Sequence, residues 1–362
     1  MAIQIKNYQK PEKNLKKIPL AIGLFIFILV CALAFKIGSV ITVISVKGNS
    51  LPFWDKVAAL LPLSDYKKDP NRIDVLILGI RGEGDPNGGL LADMIMVLSY
   101  KKDTGKLALI SIPRDLYVDI PGLGRKERLN FAYAYGEEKQ YNGGGLRLSK
   151  RIVSNIIGLD INYAVSIDFE AFREIVDILG GVTIYRDKPF VEDMQWQGEG
   201  VEGSPFWYKK TIKDSTTGKE KEIWALHIPA GQSTLDGQAA LYYVRSRFTT
   251  SDFDRSKRQQ EVLLALKDKV FSLNVLANPL KIIRIADSLK KHLRADIPSE
   301  KIFDFVELAH DSKINAVKKK VFDTTLEGLL YETYSYDGSY ILLPVGNNYD
   351  RIREVCRNIF LP

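Results

Sequence analysis

RIDVLILGIRGEGDPNGGLLADMIMVLSYKKDTGKLALISIPRD, residues Arg72–Asp115, holds three apolar runs separated by turn-forming residues. Ile73–Ile80 is dense in Ile, Val and Leu without polar alternation, the pattern of a strand covered on both faces. Ala92–Leu98 predicts a second buried strand with Asp93 at its mouth. Lys106–Ile112 predicts a third, ending in Pro113-Arg114-Asp115. Ligands of open α/β sheets bind beyond strand ends, so an arginine and carboxylates there are well placed for binding. The glycine-rich stretch Gly79–Gly89 is able to wrap a phosphate with backbone amides, as an ordinary turn is too. Its spacing matches neither the P-loop nor the dinucleotide fingerprint.

Working outward, Arg128–Gly136 and Gly145–Ile157 read as helices, the second with Leu146, Leu148, Ile152, Val153 and Ile156 on a helical period. Tyr163–Ile167 predicts a strand and Phe169–Leu179 a helix, closed by Gly180-Gly181. Val182–Tyr185 returns as a strand. Such alternation predicts an α/β fold, an α–β–α sandwich around a mixed central sheet. Residues 186–226 break the pattern with Trp196, Trp207, Tyr208 and Trp224, and read as a protruding hairpin or lid. Helices are expected over Gln232–Tyr243, Arg258–Phe271, Pro279–Leu293 and Ser299–Ala309. Lys318–Asp323, Ser339–Pro344 and Asp350–Phe360 follow as strand, strand and helix. With no linker-like break, 72–362 reads as one domain.

A second charged segment, ALYYVRSRFTTSDFDRSKRQQ (Ala240–Gln260), sets Arg245, Arg247, Arg255 and Arg258 around Asp252 and Asp254, after the apolar, strand-like Ala239–Val244. Arginine offers a planar fork that holds phosphate oxygens bidentately and keeps its charge at neutral pH. Interleaved carboxylates suit a divalent cation or a proton acceptor. The competing reading is a solvated salt-bridge surface, where such pairs are common and weak. Arg114, far upstream at another strand end, argues for a site.

The chain has 362 residues, 46% of them apolar, and a net charge of +7. Lys6, Lys10, Lys13, Lys16 and Lys17 crowd residues 1–17, a leader expected to stay in the cytoplasm. Residues 18–46 are apolar apart from Lys36 and Lys-free through Phe35, long enough for one transmembrane helix. Ala32-Leu33-Ala34 resembles a signal cleavage site, but the apolar run continues past it and favours a retained anchor. Residues 47–71, with Pro52, Pro62 and Pro70, form a juxtamembrane linker. The expected location is therefore the cell membrane, single-pass, with an extracellular C-terminal domain. Cys31 and Cys356 cannot form a disulfide framework, and His227, His292 and His310 are scattered without ligand spacing, so the inventory builds no zinc site, Cys–His pair or Ser–His–Asp arrangement. The leader is too short for a helix-turn-helix, so no nucleic-acid partner is expected.

Asp93, Ser111-Ile112-Pro113-Arg114-Asp115, RLNFAYAYG (Arg128–Gly136), Asp168-Phe169, VDILGGV (Val176–Val182) and the Tyr243–Gln260 cluster occur in order. Together they resemble the LytR-CpsA-Psr family of cell-envelope proteins, over roughly Arg72–Phe271. The resemblance implies a phosphotransferase moving a glycan with its phosphate from a polyprenyl-diphosphate carrier to peptidoglycan, assisted by magnesium. It also implies an apolar cavity for the isoprenoid. By motif, Arg114, Arg128, Arg245, Arg247, Arg255, Arg258 and Gln259 are expected around the diphosphate. Asp93 and Asp252 are expected to hold magnesium or accept a proton, and Asp115 to orient Arg114. Two departures stand out: Arg81 is displaced from the family's arginine position, with Leu90-Leu91 there instead, and Asp254 replaces a glycine.

The chemistry asks for the same groups independently. A diphosphate needs its charge neutralised as the bond to the leaving phosphate stretches, and fixed cations supply most of that catalysis. A sugar hydroxyl needs a carboxylate base within hydrogen-bond reach. Hydrolysis of the same diphosphate, or a non-enzymatic lipid-binding envelope scaffold, would draw on many of the same residues. The expected cavity is a tunnel between the sheet and the helices Leu146–Ile157 and Phe169–Leu179, opening beside the arginines.

Overall fold

β1 (Arg72–Ile80), β2 (Met94–Lys101) and β3 (Lys106–Ser111) form an antiparallel meander, in the order that the three apolar runs predict. The computed structural model describes residues 69–139, 144–213, 218–272, 284–285, 292–298, 316–325 and 327–361. The expected leader, span and nearly all of the linker lie outside these residues, as does the helix expected over Ser299–Ala309. Among the described residues no helix is long and apolar enough to cross a membrane.

The chain continues through a short ribbon, β4 (Tyr117–Asp119) with β5 (Lys126–Arg128), into α1 (Phe131–Glu138) and α2 (Gly144–Ile157). These two helices cross so closely that a Cβ on Gly136 would sit 2.7 Å from the Gly145 Cα, which is why both positions are glycine. β6 (Tyr163–Asp168) then lies parallel to β1, and α3 (Phe169–Ile178) begins at once, capped by Asp168, whose Oδ1 accepts from the Ala171 amide at 2.9 Å. β7 (Val182–Arg186), β8 (Phe190–Glu192), β9 (Trp207–Lys213), β10 (Glu220–Ile228) and β11 (Gly231–Leu235) follow. β9 and β10 form a hairpin with β8 on its flank, while β11 pairs with β7. The hairpin's base is fastened by buried Trp207, Ile223 and Leu226. α4 (Gly237–Arg245) and α5 (Asp252–Ser272) come next, then β12 (Leu293–Ala295), β13 (Ala316–Val321), the hairpin β14 (Leu330–Tyr334) with β15 (Tyr340–Pro344), and α6 (Asp350–Arg357).

The central sheet is mixed, in the order β12-β6-β1-β2-β3-β13. Strand side chains alternate between two cores, which explains the unbroken apolar runs. Val75, Ile77, Met96, Leu98 and Leu109 pack on one face with Ile175 of α3, Ala240 of α4, and Val262 and Leu266 of α5. Leu76, Leu78, Val97 and Ile110 pack on the other with Leu148, Ile152 and Val153 of α2 and Ile352 of α6. Burying each such side chain contributes about 1.5–3 kcal/mol, so neither face can be left open. Helices therefore cover the sheet on both sides.

Three sequence expectations are corrected. Gln232–Leu235 is strand, not the start of a helix, because Ser233 and Leu235 alternate inward and pair with Ile184 and Val182. The helix starts only after Asp236, whose Oδ1 caps the Ala239 amide at 2.7 Å. That makes Ala239–Val244 helical rather than strand-like. Arg128 belongs to β5, and the helix expected from it starts at Phe131.

The segment between α4 and α5, which carries Arg247, is held from two sides by buried charged groups. Glu192 is fully buried, and its carboxylate accepts from the amides of Met194, Gln195, Phe248 and Thr249 and from the Thr249 hydroxyl, at 3.1–3.2 Å. Arg258 donates to the carbonyls of Tyr243 (3.0 Å) and Ser246 and to the Thr250 hydroxyl (3.2 Å). Truncating either leaves several buried partners unsatisfied. Glu192→Ala and Arg258→Ala are each expected to lower the unfolding free energy by about 3 kcal/mol in urea titrations. Lys257→Ala, on an exposed side chain of the same helix, is expected to stay within about 0.5 kcal/mol.

Candidate active site

The site forms at one edge of the sheet, where β1 and β6 end and β2 begins. Asp93 stands there because its amide donates to the Gly79 carbonyl at 2.8 Å, closing the glycine-rich loop back onto β1. Arg114 follows β3 at the same edge. Arg245 is the last residue of α4, Arg247 lies just beyond it, and Asp252 and Arg255 occupy the first turn of α5.

Asp93 and Asp252 organise the cations. Arg114 Nη1 meets Asp93 Oδ1 at 2.5 Å, and Arg81 Nε lies 3.6 Å from Asp93 Oδ2. Arg255 Nη1 is 2.7 Å from Asp252 Oδ1, and Arg247 Nη1 donates to Asp252 Oδ2 at 3.4 Å. Arg255 also reaches back to the Asp93 carbonyl at 3.5 Å, joining the two groups. Among the described residues no carboxylate forms an ion pair with Arg245. Its guanidinium lies over Phe169 at 4.4 Å and Trp196 at 4.9 Å, where the ring faces supply the compensating negative potential.

Burial and crowding shift these cations in different directions. Burial lowers the Arg255 pKa, opposed by Asp252, and the charges of Arg114 and Arg247 add to the lowering, leaving it at about 10. Burial, then Arg81, lower that of Arg245. Burial also opposes the charge on Arg114, but Asp115, Asp93 and Asp252 outweigh it and raise its pKa. Among the described residues the buried Nε of Arg255 makes no hydrogen bond, and that of Arg114 faces Asp115 Oδ2 at 3.4 Å without hydrogen-bond geometry. The protein thus leaves donor capacity unspent at the place where cations crowd.

Arg81, Asp93, Arg114, Arg245, Arg247, Arg255 and Gln259 all line one cavity of about 970 Å³, part of it open to solvent. Behind this polar rim the wall is apolar: Ile77, Met94 and Ile167 from the sheet, Phe172 from α3, Leu241 and Val244 from α4, and Val262, Leu263 and Leu266 from α5. The expected wall helix Leu146–Ile157 takes no part. It lies against the opposite face of the sheet, since its apolar stripe meets Leu76 and Val97 rather than Val75 and Met96. α5 stands in its place.

Five of the residues expected around the site lie off the cavity wall. Arg258 points into the core, occupied by backbone carbonyls. Arg128 is 3.7 Å from Asp115, and Asp115 is 3.4 Å from Arg114 Nε, so these two form a chain behind Arg114. Asp252 sits outside the wall and holds Arg247 and Arg255 against it. Asp254 turns away to Ser251 and Lys257. Residues that sequence reasoning did not place here are Gln195, whose Oε1 accepts from the Arg247 amide at 2.8 Å, and Phe169 and Trp196 beneath Arg245. Asp168 lines the cavity too, paired with His292 Nδ1 at 2.7 Å. Nothing in the spacing of the scattered histidines marks that pair. Arg81, displaced in sequence, nonetheless reaches the rim.

The fold and sequence both have known counterparts. The chain is 31% identical over 280 residues to the polyisoprenyl-teichoic acid–peptidoglycan teichoic acid transferase TagT of Bacillus subtilis, covering 74% of each chain. It is 30% identical over 234 residues to the transferase of the same description, TagU, from Enterococcus faecalis. That match spans 63% of the relative's length, just under two thirds. The structure of TagT bound to LI-WTA superposes with a TM-score of 0.55 at 24% identity, covering 80% of this chain and 90% of that one, and supports the same fold. The profile of the LytR_cpsA_psr family matches residues 53–357, and the chain belongs to that family.

Proposed function

We propose that this protein transfers a glycan together with its phosphate from a polyprenyl-diphosphate carrier to peptidoglycan, at the cell membrane. The observation that carries this reading is the two-part cavity: five arginines at the rim and a mainly apolar wall behind them. A diphosphate joined to a long hydrocarbon has the same division. The transferase names of the relatives point the same way.

In this reading the diphosphate takes the arginines from their carboxylates. Arg114, Arg245, Arg247 and Arg255, with Arg81 and Gln259, neutralise charge as the bond between the two phosphates stretches. The acceptor hydroxyl forms a new bond to the glycan-bearing phosphorus, the bridging oxygen leaves with the polyprenyl phosphate, and a carboxylate takes the hydroxyl proton. Asp252, outside the lipid-facing wall and released as Arg247 and Arg255 turn to phosphate, is the proposed proton acceptor. Among the described residues no cluster of three or more His, Cys, Asp or Glu is built to hold a metal. The donor set fits magnesium in its usual form, bound by one or two carboxylates and otherwise by phosphate and water. Asp93, on the cavity wall, would be its protein ligand, with Asp252 within the same charge network. When bound, the ion would neutralise further charge on the diphosphate. Asp115 and Arg128 position Arg114, and Arg258 supports the loop of Arg247 without touching the donor.

The test is transfer from a synthetic polyprenyl-diphosphate glycan to peptidoglycan in vitro. Asp93→Ala and Asp252→Ala are expected to reduce turnover about 10²–10⁴-fold, and Arg245→Ala or Arg247→Ala about 10²–10³-fold. Chelation of magnesium is expected to slow the wild type as well. Near-normal transfer in both aspartate variants would remove the assignment.

Donor affinity is also expected to depend on pH in one direction. Arg255 is a cation held at about 10 by burial, so it is charged below that pH and neutral above it. A diphosphate diester keeps its charge throughout and raises the bound Arg255 pKa. Affinity should therefore be flat from pH 7 to 9 and fall by about tenfold per unit as pH rises past 10. Arg255→Gln should abolish that fall, as read by titration with a fluorescent donor.

A further inference from the structure

The hairpin β14–β15 carries the densest exposed aromatic surface among the described residues: Tyr331, Tyr334, Tyr336 and Tyr340. Its register sorts the side chains. Leu330, Glu332 and Tyr334 share one face with Leu342 and Tyr340, because Glu332 pairs with Leu342 and Tyr334 with Tyr340. At the base of that face Leu330 and Leu342 are buried in the core behind α2. Toward the tip the same face leaves the domain behind, and Tyr334 emerges 71% exposed. The inner face of the hairpin thus overhangs the domain.

Its base is joined to the backbone that carries Asp115, the residue behind Arg114 of the candidate site. The Leu342 amide donates to the Asp115 carbonyl at 2.9 Å, and Leu116 bridges to Leu342. The Tyr340 hydroxyl is pushed up to about 12 by burial, then by Glu332, and further by the charges of Asp115 and Asp252. Asp252 is the carboxylate on the side of Arg247 and Arg255 away from the lipid-like wall. Tyr334 and Tyr340 meet edge-on, with ring centroids 6.4 Å apart and planes at 79°, and the Tyr340 hydroxyl donates to Glu332 Oε2 at 3.3 Å.

We propose that the inner face of this hairpin, Tyr334 and Tyr340 with Glu332, is the platform on which a sugar strand of the peptidoglycan acceptor lies. The proposal rests on the transferase reading, since it supplies the acceptor side of that reaction. The C–H faces of pyranose rings pack on aromatic rings, and Glu332 accepts hydrogen bonds from sugar hydroxyls. Two orthogonal rings fix one sugar in direction as well as in position. Charge points to the same occupant. Glu332 and Asp337 make the hairpin acidic, opposite in sign to the arginine rim, so a polyanionic donor or an anionic bilayer is repelled where a neutral sugar strand is not. The rings are all tyrosines carrying polar groups, with Tyr331 donating to Asn347 at 2.7 Å, rather than an aliphatic patch suited to lipid tails.

The experiment measures binding of the full-length protein in detergent micelles to purified peptidoglycan stripped of attached polymers, by co-sedimentation. Binding of a fluorescent polyprenyl-diphosphate donor to the same samples is measured in parallel. Tyr334→Ala/Tyr340→Ala is expected to weaken peptidoglycan binding about tenfold, with donor affinity unchanged. Tyr334→Phe/Tyr340→Trp, which keeps the rings, should retain most of it. Unchanged peptidoglycan binding in the alanine variant would overturn the proposal. So would equal loss of donor affinity, which would make the hairpin part of the arginine site. Protection of 330–340 from hydrogen exchange by micelles alone, unaltered by peptidoglycan, would assign the hairpin to the membrane and overturn it also. The readout is binding, so it decides the platform even if the wild type proves inactive in transfer.

Discussion

Arginines brought to one cavity rim repel one another, and burial removes the water that would weaken the repulsion. The rest of the site answers that constraint. Asp93 stands between Arg81 and Arg114, Asp252 between Arg247 and Arg255, and the faces of Phe169 and Trp196 lie under Arg245. Compensation is partial: Arg255 is left with a pKa of about 10, and among the described residues its buried Nε makes no hydrogen bond. A site held short of neutrality favours an anion more than one whose charges are already matched. Fuller pairing would stabilise the empty protein and weaken the ligand by a similar amount.

Holding such a cluster requires backbone that cannot yield, since a mobile loop would let the cations drift apart. The glycine-rich turn is tied to β1 through the Asp93 amide. The α4–α5 segment is tied through Glu192 on one side and Arg258 on the other. Both clamps are buried charges hydrogen-bonded to backbone or hydroxyl groups rather than to each other. Such an arrangement gives little net stability over an apolar equivalent but fixes a single conformation. Arg258 thereby belongs to the site without facing it.

Much of this was legible in the sequence because it followed from local pattern. The three buried strands, the helices α2, α3 and α5, and the placing of Asp93 and Arg114 at strand ends are set by apolar period and by Gly and Pro. Gln232–Leu235 was not legible, since a four-residue alternating run preceding a helix is hidden until the cap at Asp236 is recognised. Which wall each helix supplies was hidden as well. α2 and α3 have comparable apolar stripes, and only the crossing of the chain from one face of the sheet to the other decides that α2 lies away from the cavity. Arg258 and Arg255 sit three residues apart on α5, and spacing alone cannot say that one meets the cavity and the other meets carbonyls. The contribution of Gln195 and Trp196 depends on the hairpin folding back onto α4, a contact between segments about fifty residues apart with no signature in either.

The division of the cavity has a consequence for the choice between an alcohol and water as attacking group. In the proposed reaction the apolar wall from β1, β2, β6 and α3–α5 would close one side of the phosphate, and a hydrocarbon tail lying along it would exclude water there. In the proposed reaction, in-line attack on the phosphorus would then come from the opposite side, toward Asp252. Water and a sugar hydroxyl compete on that side alone. The arginines stabilise either transition state about equally, because the charge developing on phosphorus is the same in both. Discrimination must therefore come from groups that hold one nucleophile longer than the other at the open mouth. A surface binding several sugars at once raises the local concentration of a hydroxyl in a way that no single hydrogen bond to water can match. In the proposed reading the cations set the reaction class, and what occupies the mouth sets its outcome, transfer or hydrolysis.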